Sequence, residues 1–563
     1  MPYRSPVADF RFILDHVVPL APVAGTSRFA EATPETVEAI LTEAARMCDE
    51  VLAPLNRAGD LTPARLENGV VRSSPGFAEG FGAIAEGGWV ALAADPEYGG
   101  MGLPQTLNIV LNDMMSAACM ALQLNPLLTQ GQIEALEHHG SDEIKATYLP
   151  KLISGEWSGT MNLTEPQAGS DVGALRSKAE PKGDGSYAIT GQKIFITWGD
   201  CDFVGNVCHL VLARLPDGGP GTRGISLFMV PKFIPDADGN PGVANSLKVV
   251  SIEHKMGLHG SPTCVMSFEG AIGYLVGEPH KGMAAMFTMM NNARLAVGVQ
   301  GVGVAEAAYQ MAAEYARDRA QMGAIIDHAD VRRMLATMKA EVFAARSIAL
   351  ACAVSLDMGR ATGDADWQAR AALLTPIAKA YGSDTGMAVS ETCVQVHGGM
   401  GFVEETGAAQ FYRDVRVAAI YEGTNGIQAM DLVGRKMMDA GAAAFRLLQE
   451  IEDEAKAARD VLPDLAGDVW AAAETLREAT EWLVAQENQD RFAGAVPYLR
   501  AFARVLGAYY HLKAAIAEGA KGPRTALARV YVRRLLPQHA AAIAEAKEGA
   551  AGLYALSVDD LVA

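Results

Sequence analysis

The spacing of apolar residues changes twice along this chain. An N-terminal arm comes first, and from residue 33 to about 151 the apolar positions then recur with a helical period. Between about 158 and 276, short β-rich runs alternate with Gly, Asp and Pro turns. Helical spacing returns from about 283 to 440, and an Ala-, Glu- and Arg-rich segment broken by prolines completes the chain. In the arm, one helix face could hold Phe10, Phe12, Ile13, Leu14, Val17 and Val18.

These changes predict an α+β multidomain fold in which a compact β domain lies between helical domains. The predicted parts are an N-terminal arm (1–35), an N-terminal α-helical domain (36–157), a middle β domain (158–276), a four-helix bundle (277–440) and an additional C-terminal helical domain (441–563). The bundle helices are expected near 286–318, 328–360, 367–396 and 426–440. No strand leads into Gly-x-Gly-x-x-Gly and a helix, so the pattern excludes a Rossmann dinucleotide site.

Charge and cysteine content narrow the possible partners. With 47 basic and 66 acidic residues, the net charge is -19. This argues against nucleic acid or an anionic membrane surface, and an anionic ligand would need a local basic pocket. No basic segment followed by an apolar run opens the chain, and no run of about 18 apolar residues is seen, so we expect a cytoplasmic protein without a membrane span. The seven cysteines lack Cys-x-x-Cys spacing, which predicts free thiols and no metal site.

The most informative stretch for chemistry surrounds a lone carboxylate, Glu422. Apolar residues precede Glu422, and a Gly-Thr-Asn-Gly turn follows, in which Gly423 and Gly426 let the backbone bend close to a ligand. A carboxylate against an apolar wall has a raised pKa, and a shift from ~4.3 towards roughly 6–7 suits a general base near neutral pH. The alternative for this position alone is a solvated glutamate at a helix-breaking turn.

Two further stretches have the residue types that hold a polar heterocycle and a diphosphate. Residues 161–171 offer backbone donors, hydroxyls and a glycine at the start of the β domain. Residues 191–199 contain Phe195 and Trp198, aromatic side chains that could stack on a flat ring.

Together with two later stretches, these motifs occur in the order typical of one family. The motifs are Leu-Thr-Glu-Pro-x-Ala-Gly-Ser-Asp (163–171), Lys-x-Phe-Ile-Thr (193–197), Arg-x-Gln-Met-Gly (319–323), Gln-Val-His-Gly-Gly-Met-Gly-Phe (395–402) and Tyr-Glu-Gly-Thr-Asn (421–425). Over about 90–440 the chain resembles the acyl-CoA dehydrogenase family of flavoproteins. The resemblance implies FAD as cofactor, an acyl-CoA substrate, electron-transfer flavoprotein or a similar acceptor, and a homodimer.

The resemblance also implies roles for individual residues. Glu422 would remove the α-proton of the acyl-CoA while the β-hydrogen leaves as hydride to flavin N5, which gives a trans-2-enoyl-CoA. In the family, the thioester oxygen is held by the backbone N–H of this glutamate and by a ribityl hydroxyl. The expected FAD contacts are Met161, Leu163, Thr164, Gly169, Ser170, Phe195, Thr197, Arg319, Gln321, Gln395, Gly398, Gly399 and Thr424, with the Arg319 and Gln395 motifs reaching FAD across a subunit interface. The expected substrate contacts are Ser170, Asn291, Arg294, Tyr421 and Gly423.

Some positions depart from the common family pattern. Phe195 stands where many relatives have Trp, and Trp198 stands where many have Asn. Either aromatic can cover a flavin face, so we expect altered contacts with FAD and not its loss. Met322 replaces a common Phe, and Asn291 replaces a common Asp.

A bacterial subgroup with a C-terminal extension offers a narrower match, through residues 1–4, 9–12, 126–132 and 254–263. This subgroup includes 3-(methylthio)propanoyl-CoA dehydrogenases, so that substrate is expected. Short- to long-chain fatty acyl-CoA is the alternative substrate. An acyl-CoA oxidase and a non-catalytic DNA-binding relative are further readings, and the net charge opposes the latter. For the extension, dimer support or cover of the flavin domain is favoured over membrane binding, because it lacks a large basic amphipathic face.

Overall fold

The computed structural model describes residues 3–563, so Met1 and Pro2 of the predicted arm and of the first subgroup stretch lie outside the described residues. The N-terminal third is helical apart from a small hairpin. Its helices are α1 (Val7–Phe12), α2 (Ala21–Ala24), α3 (Pro34–Met47), α4 (Ala53–Leu61), α5 (Phe77–Glu86), α6 (Gln105–His139) and α7 (Asp142–Ile153), and the hairpin strands are β1 (Arg65–Glu67) and β2 (Val70–Arg72). Helix α3 begins where its sequence indicates, because the Thr33 hydroxyl accepts from the Thr36 N–H at 3.2 Å and Pro34 occupies the first turn.

Helix α6 is the central helix of the N-terminal domain. It is kinked at Cys119, where the backbone leaves the helical region (φ −160, ψ 85), and nearly all of its residues are buried. Helix α6 and the later helix over 329–362 are long and apolar enough, by composition, to cross a membrane, contrary to the expectation from apolar runs. Both are largely buried inside the protein, which is where apolar core helices of a globular fold lie.

The middle domain is a seven-stranded sheet with a small two-stranded ribbon. The strands are β3 (Trp157–Asn162), β4 (Lys178–Pro181), β5 (Tyr187–Thr197), β6 (Asn206–Arg214), β7 (Ile225–Pro231), β8 (Phe233–Pro235), β9 (Pro241–Ala244), β10 (Leu247–Ile252) and β11 (Thr263–Val276). The sheet order is β10-β11-β5-β4-β6-β3, with β7 paired to both β11 and β6, and β8 pairs with β9. The register between β5 and β11 shifts between Cys264 and Met266, so that Ile194 and Phe195 lie opposite Val265. This bulge turns Phe195 away from the regular ladder.

Three long helices and one short helix follow the sheet: α8 (Gly282–Asp318), α9 (Ala329–Thr362), α10 (Ala365–His397) and, after α11 (Ala408–Val415), α12 (Asn425–Val433). The fourth predicted helix, 426–440, is thus shorter than expected, because the backbone leaves the helical region at Gly434. Helix α6 packs along α8 and so takes the place of a fourth long helix beside α8, α9 and α10, for which α12 is too short.

A buried ion cluster joins the N-terminal helices to this bundle. The Arg346 guanidinium on α9 donates to Asp113 on α6 at 2.8 and 3.0 Å and to Glu306 on α8 at 2.9 Å. It also lies over the Phe10 ring of α1, 4.7 Å from the ring centroid. Because all three charged side chains are buried, each depends on the others to remain ionised.

The C-terminal domain is entirely helical and packs on the bundle. It consists of α13 (Ala442–Ala457), α14 (Pro463–Ala485), α15 (Asn488–Ala493), α16 (Ala495–Ala517), α17 (Pro523–Val530), α18 (Gln538–Lys547), α19 (Ala551–Tyr554) and α20 (Val558–Val562). Its central helix α16 is largely buried and contacts α9, α10 and α12. The extension therefore covers the outer side of the bundle helices that precede and follow Glu422.

Candidate active site

The loop that presents Glu422 has an unusual backbone. Glu422 has a left-handed conformation (φ 54), which is uncommon for a residue with a side chain, and Gly423 continues it (φ 81). A Cβ at Gly423 would lie 2.7 Å from Gln428 Nε2, so a larger residue would both displace the Gln428 side chain and be strained by the positive φ. The Gln428 amide donates to the Glu422 carbonyl at 3.2 Å, and the Thr424 hydroxyl caps α12 by accepting from the Ile427 N–H at 3.2 Å. The loop is thus held rigidly at the start of α12.

The Glu422 carboxyl is half-buried and has two cations nearby. Burial raises the pKa of Glu422 to about 7, although Arg294 and Lys379 oppose this rise. Arg294 is buried on α8, with Nη1 3.8 Å from Asp431 Oδ2. Lys379 is buried on α10 and donates to Asn425 Oδ1 at 2.9 Å, and burial lowers the pKa of its ammonium to about 8. The site therefore has a carboxylate that can exchange a proton near neutral pH.

A chain of buried amide side chains leads away from the adjacent Tyr421. The Tyr421 hydroxyl donates to Gln300 Oε1, and Gln300 Nε2 donates to Gln123 Oε1 at 2.8 Å. Gln123 Nε2 donates to Asn112 Oδ1 at 2.6 Å, and Asn112 Nδ2 donates to Gln130 Oε1 at 3.2 Å. We call these four amides, Gln300, Gln123, Asn112 and Gln130, the amide chain. The sequence analysis did not predict the amide chain. The presence of amide residues inside otherwise apolar helices was the one sequence feature that could have indicated it.

A second site lies on the β domain, where an ion pair and a backbone hydrogen bond fix the loop after β3. Glu165 is buried and its Oε1 lies 2.8 Å from the Lys193 ammonium, and Glu165 also accepts from the backbone N–H of Ser177 at 3.0 Å. Burial opposes ionisation, but Lys193 lowers the pKa of Glu165 to about 2. In the same loop Gly169 and Ser170 are exposed, and a Cβ on Gly169 would meet nothing within 4 Å.

The two aromatic residues of this site behave differently. Phe195 is 59% exposed and has a left-handed backbone (φ 58) at the β5 bulge, so its ring is available to a flat ligand. Trp198 is fully buried, its Nε1–H donates to the Ala121 carbonyl at 3.1 Å, and its ring packs against Phe77 and Phe203. The expectation that either aromatic could cover a flavin is therefore wrong for Trp198, whose ring belongs to the core. Of the other predicted contacts here, Met161, Leu163, Thr164 and Thr197 are partly exposed.

The Arg319 and Gln395 motifs come together at one end of the bundle. The Tyr315 ring near the end of α8 stacks on the His397 ring at the end of α10, with centroids 4.2 Å apart. Five predicted residues there are exposed: Arg319, Gln321, Gln395, Gly398 and Gly399. Met322 between them is 97% exposed with a left-handed backbone (φ 54). Within residues 3–563, no hydrogen bond links this end of the bundle to Thr164 or Phe195.

Two of the predicted substrate residues, Asn291 and Arg294, lie on α8, whereas Ser170 lies on the β domain between β3 and β4. Arg294 and Asn291 line a cavity of about 330 Å³ between α8, α9, α10 and α12, together with Arg360 and Lys436. Asn291 is exposed and accepts from Arg294 only at 3.5 Å. The carboxylates of Glu134 and Asp431 also line the cavity and pair with Arg360 and Arg294, so three cations face two carboxylates and the excess of positive charge is small.

Four family models match the chain in sequence order. They are described as the acyl-CoA dehydrogenase N-terminal domain (34–156), middle domain (160–271) and C-terminal domain (280–438), and the "Acetyl-CoA dehydrogenase C-terminal like" domain (447–557). The first three cover the helical, β and bundle parts, and the fourth covers the extension.

Individual proteins are similar over most of their lengths. A 3-methylmercaptopropionyl-CoA dehydrogenase of Ruegeria pomeroyi is 44% identical over 519 residues, covering 89% of this chain and 88% of that protein. A butyryl-CoA dehydrogenase of Syntrophomonas wolfei is 37% identical, with 72% of this chain and 71% of that protein covered. The crystal structure of a Bacillus anthracis acyl-CoA dehydrogenase complexed with FAD has the same fold, with a TM-score of 0.76, 21% identity, and coverage of 100% of this chain and 94% of that one.

Proposed function

The chain belongs to the acyl-CoA dehydrogenase family, and from this premise we propose that Glu422 is the base that removes the α-proton of an acyl-CoA thioester. It is an FAD-dependent oxidoreductase that acts on the CH–CH group of an acyl-CoA. The observation that supports Glu422 most strongly is its half-buried carboxyl, with a pKa of about 7 on a strained backbone between a buried arginine and a buried lysine.

The side chains around Glu422 suit this reaction. An α-proton is weakly acidic, so a positioned base must act while the thioester oxygen is held by donors, each kind of help contributing about 10²–10⁴ in rate. The Glu422 N–H is available as such a donor, since no hydrogen bond of the described residues uses it. Bound FAD supplies the acceptor for the β-hydrogen as hydride. Arg294 favours the ionised form of Glu422, and its own unpartnered Nε points to a further polar contact.

The β-domain site has the chemistry that FAD requires. Phe195 offers an exposed ring face, and Thr164 and Ser170 offer hydroxyl donors that no side chain of the described residues occupies. The exposed guanidinium of Arg319 suits a diphosphate, and its position at the end of α8, on a different domain from Thr164, supports a site completed by a second subunit. We propose a homodimer in the cytoplasm that passes electrons to electron-transfer flavoprotein or a similar acceptor.

For the acyl group we propose 3-(methylthio)propanoyl-CoA, which would become 3-(methylthio)acryloyl-CoA. The support is the 44% identity to the Ruegeria pomeroyi protein of that name. The amide chain agrees with a short acyl group, because a long apolar chain passing Tyr421 would have to displace buried hydrogen bonds. Ordinary fatty acyl-CoA is the second candidate, supported by the butyryl-CoA dehydrogenase at 37% identity.

The test is kcat/KM for 3-(methylthio)propanoyl-CoA beside butanoyl-, octanoyl- and palmitoyl-CoA, with an artificial electron acceptor. We expect the methylthio and butanoyl compounds to differ modestly, since a thioether is nearly isosteric with a methylene and one methylene discriminates by only about 1–3 kcal/mol. A clear preference for the eight- or sixteen-carbon chain, with the methylthio compound near background, would rule out the proposed substrate.

The amide chain gives a more specific prediction about acyl length. Replacing its first member, next to Tyr421 (Gln300→Leu), removes the acceptor of the Tyr421 hydroxyl and the donor to Gln123. We expect the octanoyl to methylthio ratio of kcat/KM to rise by about tenfold, because an apolar side chain then lines the way past Tyr421. Gln310→Leu on the same helix, away from Tyr421, is the control. An unchanged ratio in Gln300→Leu would show that the amide chain does not limit acyl length.

The proposed base also predicts the pH dependence of flavin reduction. Only ionised Glu422 can accept the α-proton, and burial raises its pKa to about 7. The anaerobic rate of reduction should therefore rise with pH and be half-maximal near pH 7. Stopped-flow absorbance between about pH 5.5 and 9 measures the profile. A rate that is already maximal at the lowest pH would mean that another group, or an unperturbed carboxylate, is the base.

The subunit-bridging cofactor site is testable through Arg319. Arg319→Ala removes an exposed cation that makes no ion pair with any of residues 3–563, so we expect folding to be unaffected and FAD to be lost more readily on dilution or gel filtration. Arg317→Ala, two residues earlier and also exposed, is the matched control. Light scattering together with the flavin-to-protein absorbance ratio decides the outcome, and a monomer with full flavin would refute the bridging site.

A further inference from the structure

Two arginines of α16, in the C-terminal domain, contact α10, the helix that carries Lys379. Arg504 bonds to the Glu341 carboxylate on α9 and donates to the Tyr381 hydroxyl on α10 at 3.0 Å. Arg500, one helical turn away, has Nε 3.7 Å from Asp384 Oδ2. Since Tyr381 and Asp384 are also one turn apart, both contacts lie along a single seam between α16 and α10.

The same part of α10 holds the loop of Glu422 from its other side. Asn425 Nδ2 donates to Asp384 Oδ1 at 2.7 Å and to Ser383 Oγ at 3.0 Å. Lys379 Nζ donates to Asn425 Oδ1 at 2.9 Å. Asn425 is the first residue of α12, three residues after Glu422. Asp384 thus binds Asn425 with one carboxylate oxygen and faces Arg500 with the other.

We propose that α16 of the C-terminal domain is a positioning element for the catalytic base: Arg504 and Arg500 hold residues 381–384 of α10, which through Asn425 and Lys379 set the place and charge environment of Glu422. The inference rests on the proposed role of Glu422. It gives the extension a part in the reaction, beyond covering the bundle.

Burial shows which of the two arginine contacts matters more. Glu341 and Tyr381 are buried, the Tyr381 hydroxyl is 2.9 Å from that of Tyr531, and the Arg504 side chain is 18% exposed. Removing Arg504 would leave a buried carboxylate without its cation, which a protein interior tolerates poorly. Arg500 is 61% exposed, so its pair with Asp384 is weak and solvent-screened. Arg504 is therefore the main contact and Arg500 a minor one.

The charges that face Glu422 determine the direction of the expected effect. Arg294 faces Glu422 from α8, and Lys379 faces it from α10. The charges of Asp431, in α12, and of Arg435, just after α12, in turn affect the pKa of Arg294. Asp384 acts on Lys379. Only Lys379 depends on the part of α10 that α16 holds. If that part shifts, the Lys379 ammonium stabilises the Glu422 carboxylate less, so Glu422 ionises at higher pH.

The experiment compares holoenzymes of Arg504→Gln and Arg500→Gln with Arg533→Gln. Arg533 is an arginine of the C-terminal domain about as exposed as Arg500 (50% against 61%), and its partners, Asp464 and Asp468, belong to that same domain. The first readout is the pH profile of anaerobic flavin reduction by the best acyl-CoA of the panel above. The second is hydrogen exchange of the peptide spanning 418–433.

For Arg504→Gln we expect the half-maximal pH to rise by about 0.5 unit, hence about threefold slower reduction below neutral pH that recovers at alkaline pH. Exchange in 418–433 should be faster. Arg500→Gln, which keeps the fold, should show a smaller change in the same direction, and Arg533→Gln none.

Unchanged pH profiles and exchange in both seam variants would overturn the proposal, even if Arg504→Gln melts at a lower temperature. That result would leave Glu422 in its role. Conversely, wild-type flavin reduction by Glu422→Gln would refute the proposed function itself, whatever the seam variants do.

Discussion

Glu422→Gln should retain bound FAD and lose flavin reduction by acyl-CoA, with the rate lower by about 10²–10⁴-fold. The change keeps the shape of the side chain but removes the group that accepts the α-proton. The left-handed backbone at Glu422 and the Thr424 cap of α12 do not involve the carboxyl, so the loop should keep its form. Anaerobic mixing with substrate in a stopped-flow instrument measures the effect.

Stability separates this chemical loss from unfolding. Folding raises the pKa of Glu422 from 4.5 to about 7, so it favours the protonated carboxyl. The stabilisation by that proton is complete below about pH 4.5 and is lost as pH rises through 7. Glu422→Gln should therefore be at least as stable as the wild type at pH 8. Glu405→Gln, an exposed glutamate, is the control and should react like the wild type. Reduction at the wild-type rate in Glu422→Gln would remove Glu422 from the mechanism.

Arg346→Met should produce the largest loss of stability among single substitutions considered for this protein. It leaves Asp113 and Glu306 buried without the guanidinium that bonds to both. Breaking a buried ion cluster from one side costs about 3–5 kcal/mol. For a protein of 563 residues we expect an apparent melting temperature lower by about 3–4 °C, as measured by differential scanning calorimetry.

Two further variants test that explanation. Arg333→Met, on the same helix, breaks only an exposed pair with Asp330 and should change stability by less than about 1 kcal/mol. Adding Asp113→Asn and Glu306→Gln to Arg346→Met removes the uncompensated charges and should recover much of the loss. If the triple variant is no more stable than Arg346→Met, packing of the arginine over Phe10 accounts for the effect instead of charge.

The sequence predicted the features whose causes are local. Helical and β-rich spacing predicted the α+β multidomain fold, which is confirmed, and five short motifs predicted the family, which is also confirmed. A raised pKa at Glu422 followed from an apolar run beside a Gly-rich turn, and the structure gives about 7. These inferences succeeded because each depends on residues adjacent in sequence.

Features that depend on distant partners were not predictable in the same way. Trp198 lies in a flavin-like motif, but Phe77 and Phe203 enclose it in the core. The amide chain needs Gln123 and Gln300 to meet, although they are 177 residues apart. The seam between α16 and α10 joins residues more than a hundred positions apart. In all three cases tertiary packing decides the surroundings of a side chain whose type alone permits several roles.

The most direct test of the central claim is the product of a single anaerobic turnover. The purified holoenzyme is mixed with 3-(methylthio)propanoyl-CoA without an electron acceptor, and flavin absorbance and acyl-CoA products are followed together by spectrophotometry and mass spectrometry. We predict loss of the oxidised-flavin absorbance matched by an equal amount of 3-(methylthio)acryloyl-CoA, and neither change in Glu422→Gln. Flavin that stays oxidised with this compound and with every acyl-CoA of the panel, or equal product formation by Glu422→Gln, would contradict the proposed function.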